Sequence, residues 1–241
     1  MRRSATVVFV ILFAAATAIL FLLLPVLLSP SPTGMQQEAP PIATPPETGE
    51  SASTAESVAK RPYRAIWISY LEWETVDFSS AAAFTADVSA MLDNCTALGI
   101  TVVIAHVRPF GDALYPSELY PFSHLCTGTQ GVSPGFDPLA ILVEQAHDRG
   151  LELEAWVNPY RLQAGGVPQS LSPDGIAAQH PDWVRSVNDG LWLCPALPEV
   201  QQYVADGVRE LCQKYEIDGI HFDDYFYPTT DSSFDGAEYE A

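Results

Sequence analysis

Residues 218–228 read DGIHFDDYFYP. Ile217 to Phe222 has the short apolar character of a strand buried in a parallel sheet, and its far end releases His221, Asp223, Asp224, Tyr225 and Tyr227 into a loop. In parallel α/β proteins chemistry collects at that end of a strand. Side chains alternate along a strand, so Asp223 shares a face with His221 while Asp224 points the other way. The two aspartates are therefore not expected to work as a dyad. Asp223 and Asp224 are both kept as candidate catalytic acids.

Upstream, the chain alternates strand and helix from Tyr63 onward. Strands are predicted at Arg64–Tyr70, Thr101–Val107, Leu151–Val157 and Ile217–Phe222. Between the first two, Phe84, Val88, Met91, Leu92, Cys95 and Leu98 mark a helical stripe that Gly99 ends. Asp137 as N-cap and Pro138 at the first helical position open a second helix, with Leu139, Leu142, Val143 and Ala146 inward. Pro198 opens a third, carrying Val200, Tyr203, Val204, Val208 and Leu211. The fold class expected is α/β with a parallel sheet. Helix-to-strand connections are short, whereas Arg108–Phe136 and Asn158–Leu197, which follow strands, are long. Long loops on one face mark that face as functional.

Those loops supply the binding candidates. Arg108, in line with His106, is read either as a ligand for substrate hydroxyls or as a structural ion pair under its loop. Asp112 follows Gly111 in a turn. Glu154, Trp156 and Asn158 share one strand face, with Asn158 nearest the site, Trp156 below it and Glu154 deeper. Pro159 holds Asn158 extended. Glu154 is expected to be a paired, structural acid. Arg161, His221, Tyr225 and Tyr227 complete the candidate substrate-binding set.

The formal charge of −19 disfavours nucleic acid and anionic lipid as partners and remains compatible with neutral sugars, peptides or metal ions. Ala5 to Leu28 is uncharged and almost wholly apolar, long enough to cross a bilayer as a helix. Arg2 and Arg3 place the N-terminus in the cytoplasm and the remainder outside. The expectation is a membrane anchor or signal at 1–28, a Pro/Ser/Thr-rich linker at 29–62 and a folded domain at 63–241. The protein would then be a single-pass membrane protein, or secreted if the segment is cleaved. Cys95 and Cys212 are placed on helix stripes, and Cys126 and Cys194 in loops on one face where a bridge could form. No spacing resembles a zinc site, and no cofactor is expected.

The stretches RAIWISY (64–70), VRPFGDALYPS (107–117), GTQGVSPGFDPLA (128–140), AHDRGLELEAWVNPYR (146–161) and DGIHFDDYFYP (218–228) closely resemble the glycosyl hydrolase-like 10 domain of bacterial cell-envelope proteins. The resemblance implies a (β/α)8 TIM-type barrel related to retaining glycosidases, with cell-wall glycan as substrate in some members. A Gly-x-Arg-x-Asp pattern of amylase-like barrels falls on Gly219, His221 and Asp223, which marks Asp223 as the nucleophile. It also implies aromatic sugar-stacking by Trp156, Tyr225 and Tyr227, and hydroxyl binding by Asn158 and Arg108. Glu154 stands where a histidine is expected, and Cys194, Pro195 and Ala196 where Asn-Pro-Gly is expected. About four β/α units are visible, so the chain reads as a barrel cut after strand four, without the general acid expected from a later strand. The competing readings are a non-catalytic glycan-binding remnant and a metal-dependent hydrolase using His221, Asp223 and Asp224.

Overall fold

The computed structural model describes residues 61–165, 170–223 and 226–240. The segment 1–28 and nearly all of the linker 29–62 lie outside these, as do Asp224 and Tyr225. No helix among the described residues is long and apolar enough to cross a membrane.

The chain enters through strand β1 (Ala65–Ile68), a single helical turn α1 (Tyr70–Trp73), helix α2 (Ala81–Ala97) and strand β2 (Val102–Arg108). After β2 come a short turn α3 (His124–Thr127), helix α4 (Pro138–Asp148) and strand β3 (Glu152–Val157). The next segment holds β4 (Arg161–Gln163), α5 (Ile176–Gln179), a 3-10 turn at Pro181–Trp183, β5 (Val184–Val187) and β6 (Gly190–Leu193). Helix α6 (Pro198–Lys214), strand β7 (Gly219–His221) and a last turn α7 (Gly236–Tyr239) complete it.

β1, β2, β3 and β7 form one parallel sheet in that order, with α2, α4 and α6 as the crossovers. The expected parallel α/β architecture is present. β2 is buried along its whole length, as a central strand covered on both faces must be. One sheet face presents Val103, Ala105, Val107, Leu153 and Ala155 to a core shared with Phe84, Val88 and Leu92 of α2 and Leu139, Leu142 and Val143 of α4. Complete burial of each Val, Leu or Phe side chain in this set stabilises the fold by roughly 1.5–3 kcal/mol. The helix ends follow the sequence signals: the Asp137 side chain accepts from the Ala140 amide at 3.1 Å, and Gly99 takes a φ of +72° just beyond α2.

Four readings are corrected. The first strand stops at Ile68, because Ser69 and Glu72 make a reciprocal capping box that turns residues 70–73 into a helix. The Asn158–Leu197 connection is a small antiparallel sheet, order β4-β6-β5, rather than a plain loop. Its hairpin turns on Asn188 and Asp189, with φ of 50° and 63°, the conformation a two-residue primed turn requires. The cysteines are all free, so Cys126 and Cys194 are buried but not bridged. Cys212 is exposed, since it lies one residue, or about 100° of helix, beyond the buried Leu211.

The first long loop packs onto α6. Tyr120 lies so close to Gly207 that a Cβ there would sit 2.0 Å from the tyrosine hydroxyl. Glu210 of α6 accepts from the Ser117 hydroxyl at 2.5 Å, the Glu118 amide at 2.7 Å and Lys214 at 2.9 Å. Burial alone would raise the Glu210 pKa, but these three donors outweigh it and hold it below the usual 4.5. A depressed folded-state value means the contribution is fully present above 4.5 and lost as pH falls through the lowered value. Thermal unfolding followed from neutral to acid pH should show this loss, and Glu210→Gln should remove that part of the acid dependence. An identical acid profile in the variant would dismiss the role.

Candidate active site

The carboxyl ends of the four parallel strands point to one side, and the segments that follow β2 and β3 are clasped there. Arg108 donates from one guanidinium nitrogen to the carbonyls of Asn158 at 3.0 Å and Pro159 at 2.9 Å. In return the Pro109 carbonyl accepts from Asn158 Nδ2 at 3.2 Å and Arg161 Nε at 3.1 Å. Each loop thus supplies donors and acceptors to the other.

Beside this clasp is a cavity of about 110 Å³ lined by Asn158, Pro159, Tyr160, Arg161, Trp192, Asp223 and Phe226. Its parts come from separate elements. Tyr160 and Arg161 leave the end of β3, Trp192 pairs with Arg161 across β4 and β6, and Asp223 and Phe226 follow β7. The guanidinium of Arg161 lies over Phe110 at 5.0 Å and Tyr70 at 5.6 Å. Burial lowers its pKa, opposed by Tyr70 and Asp223. It stays a cation, because arginine deprotonates only far above neutral pH. The cavity therefore presents an anion and a cation among three aromatic rings and an amide. Such a combination can hold a polyol ring and attack or stabilise a carbon that gains positive charge.

Deeper on the same sheet face, His106, Trp156 and His221 are register neighbours across β2, β3 and β7. The His106 and Trp156 rings stack at 3.8 Å with 5° between planes. Burial, and then the charges of Arg161, Arg108 and His221, push the His106 pKa down to about 2, so this imidazole is neutral at physiological pH. His221 accepts from the Trp67 indole at 3.3 Å, and its Nδ1 faces Glu154 Oε2 at 3.8 Å. Tyr63 donates to the other Glu154 oxygen at 2.9 Å. Glu154 is thus a paired acid, as expected, and does not line the cavity.

Of the residues singled out from the sequence, Asp223, Asn158 and Arg161 line the cavity. Trp156 and His221 pair in register on β3 and β7 and do not line it. Arg108 is 2% exposed, beneath the loop with its guanidinium 4.2 Å from the Tyr120 ring centre, and it is not among the residues that line the cavity. Asp112 is fully buried and accepts from His124 Nδ1 at 2.9 Å and Gln130 Nε2 at 3.1 Å, so it ties its own loop together away from the cavity. Tyr227 stands apart against Phe234 at 5.7 Å, where burial and a hydrogen bond to Asp235 push its pKa up to about 12. Sequence reading overlooked Trp192, Tyr160 and Phe226. The NDG turn before GLWL was the available signal for Trp192. Among the described residues no group of three or more His, Cys, Asp or Glu side chains is arranged to hold a metal ion.

Residues 62–240 match the family model described as Glycosyl hydrolase-like 10. The chain is 38% identical over 178 residues to Glycosyl hydrolase YngK of Bacillus subtilis (strain 168), covering 72% of this chain and 35% of that protein. It is 35% identical over 211 residues to Glycosyl hydrolase DigH of Escherichia coli (strain K12), covering 80% of this chain and 48% of that protein. The chain thus spans between about a third and about half of the length of these curated relatives. Among solved structures, an alpha-galactosidase from Thermus thermophilus in complex with stachyose overlaps 75% of this chain and 36% of its own, at 20% identity and a TM-score of 0.45. With a match running from the residue before Tyr63 to the residue after α7, the chain belongs to the glycosyl hydrolase-like 10 family.

Proposed function

We propose that this chain is part of a glycoside hydrolase of (β/α)8 type acting on cell-wall or related glycan, with Asp223 as the nucleophilic carboxylate. The observation that carries this reading is the placement of Asp223 at the end of β7, in a cavity with Arg161, Asn158 and three aromatic rings. Glycoside hydrolysis uses a pair of carboxyl groups about 5–5.5 Å apart for retention or about 6.5–9.5 Å for inversion. In the proposed reaction Asp223 attacks the anomeric carbon or stabilises the oxocarbenium-like centre. A second carboxyl group protonates the leaving oxygen. Tyr160, Trp192 and Phe226 offer faces for pyranose stacking, and Asn158 an amide for hydroxyls. The chemistry requires no cofactor.

Among the described residues Asp223 is the one acid that lines the cavity. That favours a second reading, a glycan-binding module without turnover. Calorimetric titration with cell-wall glycan strands, together with sugar-release assays, separates the two. Both readings expect Trp192→Ala to weaken glycan binding about tenfold, or about 1.4 kcal/mol, for loss of one stacking face. Unchanged binding in that variant would remove the cavity as the glycan site, while binding without release selects the second reading.

The proposal extends to location. The uncharged stretch Ala5 to Leu28 behind Arg2 and Arg3 would hold the domain outside the cytoplasmic membrane, where cell-wall glycan lies. A reporter that works only after export, fused after Ala241, should be active. Activity of a cytoplasm-only reporter at that junction would refute this orientation, and a mature N-terminus near Ser31 would identify a cleaved signal.

A further inference from the structure

We propose that Arg161 is the positioning residue that keeps Asp223 an oriented carboxylate, an inference that rests on the reading of Asp223 as the nucleophile. Arg161 is held from three sides. Its backbone is in β4, paired with Trp192; its Nε–H donates to the Pro109 carbonyl at 3.1 Å; and its guanidinium lies over Phe110 and Tyr70. Taking a guanidinium even partly out of water is costly unless an opposite charge answers it. Asp223 lines the same cavity, and its charge opposes the effect of burial on Arg161. The attraction is mutual, so Arg161 favours the ionised form of Asp223, the form a nucleophile needs.

The other groups facing this pair do not replace that charge. Tyr70 of α1 and Tyr160 after β3 are phenols, which carry no positive charge in any protonation state relevant to a protein. His106 of β2 is kept uncharged by its burial. Arg108 is turned toward the Asn158 and Pro159 carbonyls and the Tyr120 ring. His221 of β7 is engaged with Trp67 and Glu154. Arg161 is thus the cation built into the cavity wall itself.

The test reads the Asp223 carboxyl without substrate. Carbon-13 NMR of aspartate-labelled protein is followed through a pH titration, with the signal assigned by its disappearance in Asp223→Asn. In Arg161→Met the titration should move to higher pH by about one unit or more, the effect of removing a nearby opposite charge. Arg161→Lys, which keeps the charge, should remain close to the parent. Arg161→Gln serves as a second neutral variant if the methionine form does not fold. An unchanged Asp223 titration in a folded neutral variant overturns the proposal. Because no glycan is present, that result is separate from whether Asp223 performs hydrolysis: loss of sugar release in Asp223→Asn tests the latter alone.

Discussion

Asp223→Asn is expected to lower sugar release from cell-wall glycan on the order of 1,000-fold or more in a form of the protein that turns over, while glycan binding persists. Asparagine keeps the shape of the side chain and an acceptor oxygen, so the cavity between Trp192 and Phe226 stays furnished. It lacks the charge and the nucleophilicity, so the covalent route closes. Asp224→Asn should have a much smaller effect, through the local field alone. Initial-rate assays on isolated glycan strands with parallel binding measurements distinguish these outcomes. Equal losses for both substitutions, or turnover that survives Asp223→Asn, would reassign the nucleophile.

Trp73→Ala should produce the largest loss of stability among single substitutions near the site, about 3–5 kcal/mol, the range for removing a large buried aromatic. The side chain is 1% exposed and belongs to the central core, and its indole N–H donates to the His106 carbonyl at 2.8 Å. Truncation therefore removes packing and leaves a buried carbonyl on β2 without that donor. Against a usual total stability of about 5–15 kcal/mol, the loss is large enough to unfold part of the population. Urea denaturation checks this, with Leu98→Ala as the contrast. Leu98 is 74% exposed at the end of α2, so its truncation should shift the midpoint little. Comparable shifts for the two would show that the Trp73 anchor matters less than its burial indicates.

The parallel sheet was legible because its strands and crossover helices use different periods. The stripe through Phe84, Val88 and Leu92 and the buried run around Val103 to Val107 leave little ambiguity. The choice of candidate face rested on loop lengths and on strand parity around Asp223, and the cavity that Asp223 lines opens beyond the end of β7. What escaped was structure whose signal is local and short. The Ser69/Glu72 capping box ended β1 four residues into an otherwise strand-like run, and the three-stranded insertion rests on strands of three or four residues. Trp192 was hidden for that reason. The reach of individual polar side chains was the other gap. Arg108 and Asp112 are residue types that bind ligands, yet Arg108 donates to two carbonyls of the segment after β3, and Asp112 accepts from a histidine and a glutamine of its own loop. Sequence spacing does not report such partners.

The reciprocal clasp between the segments after β2 and β3 has a thermodynamic consequence. Pro109 and Arg108 on one side, and Asn158, Pro159 and Arg161 on the other, constrain each other before any ligand arrives. Conformational entropy of this part of the wall is lost during folding, so an incoming molecule need not order it again. In the proposed glycan site, affinity at Asn158 and Arg161 would then depend on fit to an existing shape, and changes at Pro109 are expected to alter recognition without touching the ligand.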